Sequence, residues 1–359
     1  MIFSKNSISR FLVLVSVFLL SGCHAYQAKK DYQFAIFDKK DVQTFSVSKG
    51  QLQPLEKLRR KNTKFFEKES FKQAGHRYLA KTLEGDGLKV FLESIDQKTL
   101  EEKIQPALGN DAYASITDGK YFYATAVFTD RIDFYKYDLN LKKVLKKSIP
   151  NDEHINASNQ FLLIDDQLYL LVSYVDKASG LPGTCLWLMD KAFNIKERID
   201  LEDTSAYLRM ANVGHTLYLP ASFRGRDANG EPLSGRQVMV FDLDSRQKYY
   251  FPSSAKYPKS IFYHQGSKQL IIENDAFYNK DFSWTLIEIS AMKEKMVKIK
   301  PQGKRDYLPP FLANDKSRLY FLFSDQLLDY HLNTGKLKRT DLKLFGIKDA
   351  HALIIKKKE

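Results

Sequence analysis

Three features of the sequence predict an all-β fold built from antiparallel sheets. The 359-residue chain carries 25 Phe and 20 Tyr against 2 Trp, and aromatic side chains suit the pleated, half-buried surface of a sheet. After residue 32 no long helical period with start and stop signals runs through it. The best helix candidate, Pro54 to Gln73, reads equally as a linker followed by a strand. The third feature is a repeat. An alternating apolar–polar run ending in Asp, then a polar turn, then a second alternating run, recurs at Asp38, Asp96, Asp138, Asp190 and Asp242, with degenerate copies at Ser290 and His331. The mean spacing is about 49 residues, within the range of propeller blades.

A second element precedes most copies at a regular distance, as in ITDGKYFYATAVF, LIDDQLYLLVSY, NVGHTLYLPASF, HQGSKQLIIENDAF and NDKSRLYFLFSD. The Asp-Gly, Asp-Asp, Gly-His and Gly-Ser pairs stand where a hairpin turn belongs. Each unit therefore reads as four short strands in two hairpins. Such a sheet cannot bury both faces alone, and radial stacking of six to eight of them solves this, as in a β-propeller. The first copy, Phe34 to Leu52, lacks room for an earlier hairpin, and the last segment, from Asp349, holds a strand with nothing after it. Joined, the two termini complete a blade. Six internal units and that composite give seven blades, with six and eight as alternatives. A pair of β-sandwiches would also be all-β, whereas an α/β solute receptor needs strands alternating with helices, which the sequence lacks. The recurring aspartates occupy one place in every repeat, so they are expected to start the turn after the third strand and not to act as catalytic acids.

The N-terminus carries a different signal. Lys5 and Arg10 precede Phe11 to Leu20, an apolar run too short for a comfortable membrane span, and Leu20-Ser21-Gly22-Cys23 follows. This tetrapeptide resembles the lipobox of bacterial lipoproteins. The resemblance implies a diacylglyceryl group on the Cys23 sulfur and cleavage between Gly22 and Cys23. Together with the repeats, it divides the chain into a signal peptide (1–22), a lipidated tether (23–33) and a single propeller (34–359). It also implies a protein held at the extracytoplasmic face, in the outer leaflet of a Gram-positive cell membrane or, in a Gram-negative cell, at the outer membrane. With Cys23 modified, Cys185 has no partner for a disulfide. Its setting, TCLWLMD, predicts a buried inert thiol.

The net charge of +13 is spread along the chain with acids interspersed. That is the pattern of a basic solvated surface suited to an anionic membrane or polyanionic polymer, and not of a nucleic-acid groove. The basic runs Lys57–Arg60 and Lys356–Lys358 read as solvated charge. No P-loop, GxGxxG, GxSxG or HExxH occurs, and the histidines are scattered, so no cofactor, metal or catalytic residue is expected.

Binding residues concentrate on loops held by a rigid scaffold. The longest inserts between second and third strands fall in three consecutive units: Val175–Thr184, Arg224–Arg236 and Asn274–Ser283. They would share one sector of one face. Arg224, Arg226 and Arg236 offer planar donors for carboxylate or phosphate, with Phe277, Tyr278 and Phe282 as stacking surface. Against this, the arginines could simply pair with Asp227 and Glu231 in solvated loops. The segment from Asp227 to Glu231 also resembles the start of a calcium loop, but without the later ligands it reads as an Asx turn. The expectation is an envelope lipoprotein whose propeller binds or scaffolds an envelope protein or an anionic glycan or polymer, without nucleic acid. The alternatives are a propeller enzyme, glycan lyase or hydrolase, and less favourably a transporter's solute receptor.

Overall fold

A computed structural model of the chain describes residue 28 and residues 30–61, 64–67, 70–83, 89–107, 114–201, 205–279, 281–300 and 310–356. Gly22, Cys23 and the rest of the expected signal lie outside the described residues.

Seven antiparallel sheets make the seven blades of a β-propeller. Blade 1 combines Phe34–Phe37, Asp41–Ser48 and Gln51–Arg59 with Ala352–Ile355 from the other end of the chain. Phe34 pairs with Ile355 and Phe37 with Ala352, so the ring closes three strands against one. Blades 2 to 7 then run in chain order, and their last three strands begin and end at Arg77 and Pro106, Tyr121 and Pro150, Gln167 and Asp200, Thr216 and Pro252, Gln269 and Ile299, and Arg318 and Asp341. The first strand of blade 2 is split into Phe65–Phe66 and Lys72–Ala74, both paired with Arg77–Leu83. That of blade 5 is split into Ser205–Tyr207 and Ala211–Val213, both paired with Thr216–Arg226.

The two middle strands of a blade are covered on both faces by neighbouring blades, which is why they read as continuous apolar runs. Tyr121–Val127 is buried from Phe122 to Ala126 and Gln167–Asp176 from Leu168 to Val172. The fourth strands have one open side and alternate, as Ile195–Asp200 does. The core is accordingly a set of layers between blades. Tyr123 and Phe134 of blade 3 meet Trp187 and Phe193 of blade 4 in one layer, and Trp284 of blade 6 meets Phe321 and Leu328 of blade 7 in another.

The repeated aspartates do what their periodicity implies. Asp96, Asp138 and Asp242 each end a third strand and Asp190 directly follows one, and each accepts a backbone N–H from two or three residues on, at 2.7 to 2.8 Å. In the first three of these turns the residue with positive φ is Leu100, Leu141 or Phe193, and its side chain is buried. A type I turn followed by a left-handed residue is a common hairpin closure, and here it also drives an apolar plug into the core. Asp38 is a correction. It follows the second strand of blade 1, so the first copy of the repeat is read one strand out of phase. Of the two readings open for Pro54 to Gln73, the described residues take the linker and strand: the segment holds the end of the fourth strand of blade 1, a link, and the split first strand of blade 2.

Successive strands run antiparallel, so first-to-second and third-to-fourth turns share one face of the ring, here the turn face. Second-to-third loops and the links between blades share the opposite one, the loop face.

Candidate functional site

The loop face carries a cleft of about 630 Å³ between blades 5 and 6, lined by Arg224, Leu233, Ser234, Arg236, Lys256, Tyr257, Tyr278 and Asn279. Three segments build it. The long strand Thr216–Arg226 overshoots its blade and pairs with an added strand, Pro232–Ser234, which carries the loop back toward the ring. Gly235 permits this return, because a Cβ there would run into the carbonyl oxygen of Ala221. The link Ser253–Tyr257 is held from both sides. Tyr257 donates its N–H to Ser234 Oγ at 2.7 Å, Lys256 donates its N–H to Asn274 Oδ1 at 3.2 Å, and Asn279 Nδ2 donates to the Lys256 carbonyl at 2.9 Å. The helical turn Ala276–Asn279 is opened by Asp275, whose carboxylate accepts the Phe277 N–H at 2.8 Å.

Its aromatic wall is fixed. Tyr257 and Tyr278 stack with centroids 4.5 Å apart and planes 19° apart, and Phe223 meets Tyr278 edge-on at 5.9 Å. Tyr257 takes a φ of +48, a conformation uncommon for a bulky residue, and the three hydrogen bonds around it hold it there.

The charge is uncompensated. Arg224, Arg236 and Lys256 are all exposed, and none forms an ion pair or side-chain hydrogen bond among the described residues. Asp227 spends its carboxylate on its own turn, accepting the N–H groups of Asn229 and Glu231 at 2.8 and 2.9 Å. That is an Asx turn. So the pairing of arginines with Asp227 and Glu231 that the sequence allowed is not what the loop does. The cleft presents three cations, a stacked tyrosine pair, a serine and an asparagine, and its lining holds no carboxylate or imidazole. Such a set binds carboxylate or phosphate in a fork and an apolar ring face against the aromatics.

Of the residues singled out in the sequence, Arg224, Arg236 and Tyr278 come together in the cleft. Arg226 turns back and donates from Nη1 to the Gly230 carbonyl at 2.6 Å. Phe277 is 82% exposed at the loop tip and only touches Tyr278 edge-on, while Phe282 packs on Phe323 between blades 6 and 7. Lys256 and Tyr257 escaped the sequence reading because they lie in a short link between blades, and length marks inserts, not links. A second groove of about 540 Å³ lies on the same face over blades 3 to 5, with Ile155, Tyr174 and Val175 among its lining. Cys185 is buried, and burial pushes its thiol up to about 11.

No known protein-family profile matches the sequence, and neither does any curated protein. Solved structures do resemble it. A putative 6-phosphogluconolactonase from Bacteroides fragilis is 12% identical with a TM-score of 0.58, over 92% of this chain and 99% of that one. A functionally unknown protein from Desulfotomaculum acetoxidans is 10% identical with a TM-score of 0.53, over 90% and 99%. The Pan2 WD40 domain of Neurospora crassa is 12% identical with a TM-score of 0.52, over 84% and 86%. At such identities the likeness is one of fold. The chain is a seven-bladed β-propeller, and its function has to be argued from its own residues.

Proposed function

We propose that this protein is an extracytoplasmic lipoprotein, anchored through a lipid on Cys23, whose propeller binds an anionic glycan or polymer of the cell envelope. The observation that carries the binding role is the cleft between blades 5 and 6, where Arg224, Arg236 and Lys256 surround a tyrosine stack without an acidic partner. Cations left unpaired around a rigid aromatic wall are open to an anion from outside. The anchor rests on the Leu20-Ser21-Gly22-Cys23 resemblance, and Cys23→Ala should release the protein from the membrane fraction.

The binding test sets polygalacturonate and poly(glycerol phosphate) against neutral dextran. At least one polyanion should bind, in a salt-sensitive manner, and the Arg224→Ala/Arg236→Ala variant should weaken it by at least tenfold, the worth of one charge-assisted hydrogen bond at about 1.5 kcal/mol or more. Equal binding by the variant sinks the role of the cleft. Retention of an envelope protein in place of either polymer moves the reading to a scaffold.

A second reading has one observation in its favour. Two tyrosines and two arginines line the same cleft, and β-elimination on an acidic sugar can use such a set, with a guanidinium neutralising the carboxylate and a phenol handling the proton. A growing ultraviolet absorbance of unsaturated sugar products from polygalacturonate would establish it.

A further inference from the structure

We infer that the turn face, over blades 7, 1, 2 and 3, rests on an anionic lipid surface, so that the cleft on the loop face points away from the membrane. This rests on the anchor proposed above and adds an orientation to it.

The first support is where the chain enters the fold. Ala28 donates its N–H to the Thr99 carbonyl at 2.6 Å, and the Tyr32 hydroxyl donates to the Gln97 carbonyl. Both acceptors belong to the turn between the third and fourth strands of blade 2. The chain then enters Phe34–Phe37, which runs from the turn face to the loop face. Cys23 and Ala28 are five residues apart, a reach of about 18 Å when fully extended. A lipid on Cys23 therefore holds this face, and no other, close to the bilayer.

The second support is charge. Lys336 and Lys316 of blade 7, Lys49 of blade 1, Lys98 of blade 2, and Lys120 and Lys142 of blade 3 are exposed in turns on this face. None forms an ion pair among the described residues. The tether enters at blades 1 and 2, in the middle of this arc. Acids stand in the same turns, but Asp96, Asp138 and Asp315 accept backbone N–H groups next to them and stay close to the backbone. The lysine ammoniums, on longer stems, reach further out. Across the ring the sign changes. The turns of blades 4 and 5 carry Asp165, Asp166 and Asp244, with Lys191 bonded to Asp166 and His215 held between Asp165 and Asp244. A basic arc around the tether, with the acids gathered over blades 4 and 5, would seat the propeller lysine side down on anionic headgroups. Cations spread evenly over four blades suit a surface of mobile charges better than a single molecular ligand.

The full chain, isolated with its lipid, would be reconstituted on vesicles of phosphatidylcholine alone or with one-third phosphatidylglycerol, and its lysines acetylated and read by mass spectrometry. On the anionic vesicles Lys49, Lys98, Lys142 and Lys336 should react about fivefold more slowly than on the neutral ones, as about 1 kcal/mol per headgroup contact requires. Molar salt should abolish the difference, and Lys256 in the cleft should be unaffected. Equal reactivity on both vesicles, protection of Lys256 instead, or protection that appears only with added envelope protein would overturn the orientation. The intact mass of the same preparation reports the lipid on Cys23 separately. An unmodified mass overturns the anchor, whatever the lysines show.

Discussion

Arginine plays opposite parts in two regions of this ring. At the closure, Arg60 is 4% exposed. Its guanidinium reaches Glu102 at 3.0 Å and Glu93 at 3.4 Å, and both ion pairs are fully buried. It also lies 4.7 Å from the Phe66 ring centroid and 2.8 Å from His351 Nε2. Arg60 belongs to the link between blades 1 and 2, and His351 immediately precedes the C-terminal strand of blade 1. One guanidinium thus ties both chain ends to the next blade. In the cleft, Arg224 and Arg236 are exposed and unpaired among the described residues. The lesson is that the partner set, not the residue type, assigns a role. A buried cation surrounded by carboxylates and rings is architecture, and an open one with nothing to answer it is what the binding role proposed above rests on.

The sharpest way to break this contrast is to remove the buried guanidinium. Arg60→Met leaves Glu93 and Glu102 without it in the interior. Breaking a buried pair from one side costs about 3–5 kcal/mol. A thermal or denaturant melt should show that loss. The triple change Arg60→Met/Glu93→Gln/Glu102→Gln should recover part of it, because the two buried carboxylate charges are removed together with the guanidinium that neutralises them. A near-wild-type melt for Arg60→Met alone would mean that the closure does not depend on this cluster.

The same cluster predicts a pH effect of intermediate size. His351 Nδ1 lies 3.1 Å from the Asp349 carbonyl oxygen, so the neutral ring donates there and accepts from Arg60 through Nε2. Burial, and then the positive charge of Arg60, hold the imidazole down to about 3 from its ordinary 6.5. Between those values the unfolded chain binds the extra proton, so stability falls as pH falls through that window and is complete above it. The slope is at most about 1.4 kcal/mol per pH unit for one proton. His351→Gln keeps a donor and an acceptor but does not titrate. Its stability should be flatter than wild type from about pH 6.5 down to 4, where fewer carboxylates interfere. Parallel curves would remove His351 from the account.

Much of this architecture is legible in the sequence, because a propeller repeats its instructions. The alternating runs, the turn aspartates from Asp96 to Asp242 and the incomplete ends give the blades, their number and their closure. The errors fall where one copy departs from the rest. Asp38 imitates the repeated Asp from a different strand end. In the run KLRR, read as solvated charge, Lys57 and Arg59 stay exposed while Arg60 turns inward. Nothing local marks it, since its partners Glu93, Glu102 and His351 are brought in by ring closure. The cleft divides the same way. Arg224, Arg236 and Tyr278 sit on long inserts that announce themselves. Lys256 and Tyr257 occupy a link of ordinary length and join the site only because blades 5 and 6 are neighbours.

The smallest expected effect is on the other side of the comparison, and it is informative because it is small. If Arg224 and Arg236 were structural, replacing them would cost stability as Arg60 does. They are exposed, and no ion pair or side-chain hydrogen bond ties them to the described residues. Substitutions at such positions stay within about 0.5 kcal/mol. Mutual repulsion among three cations in one cleft favours their removal, so the sign for Arg224→Ala/Arg236→Ala should be neutral to slightly stabilising, and more so at low salt. Melting the double variant at low and high ionic strength measures it. A loss above about 1 kcal/mol would place these arginines with Arg60 and take the cleft out of consideration as a binding site.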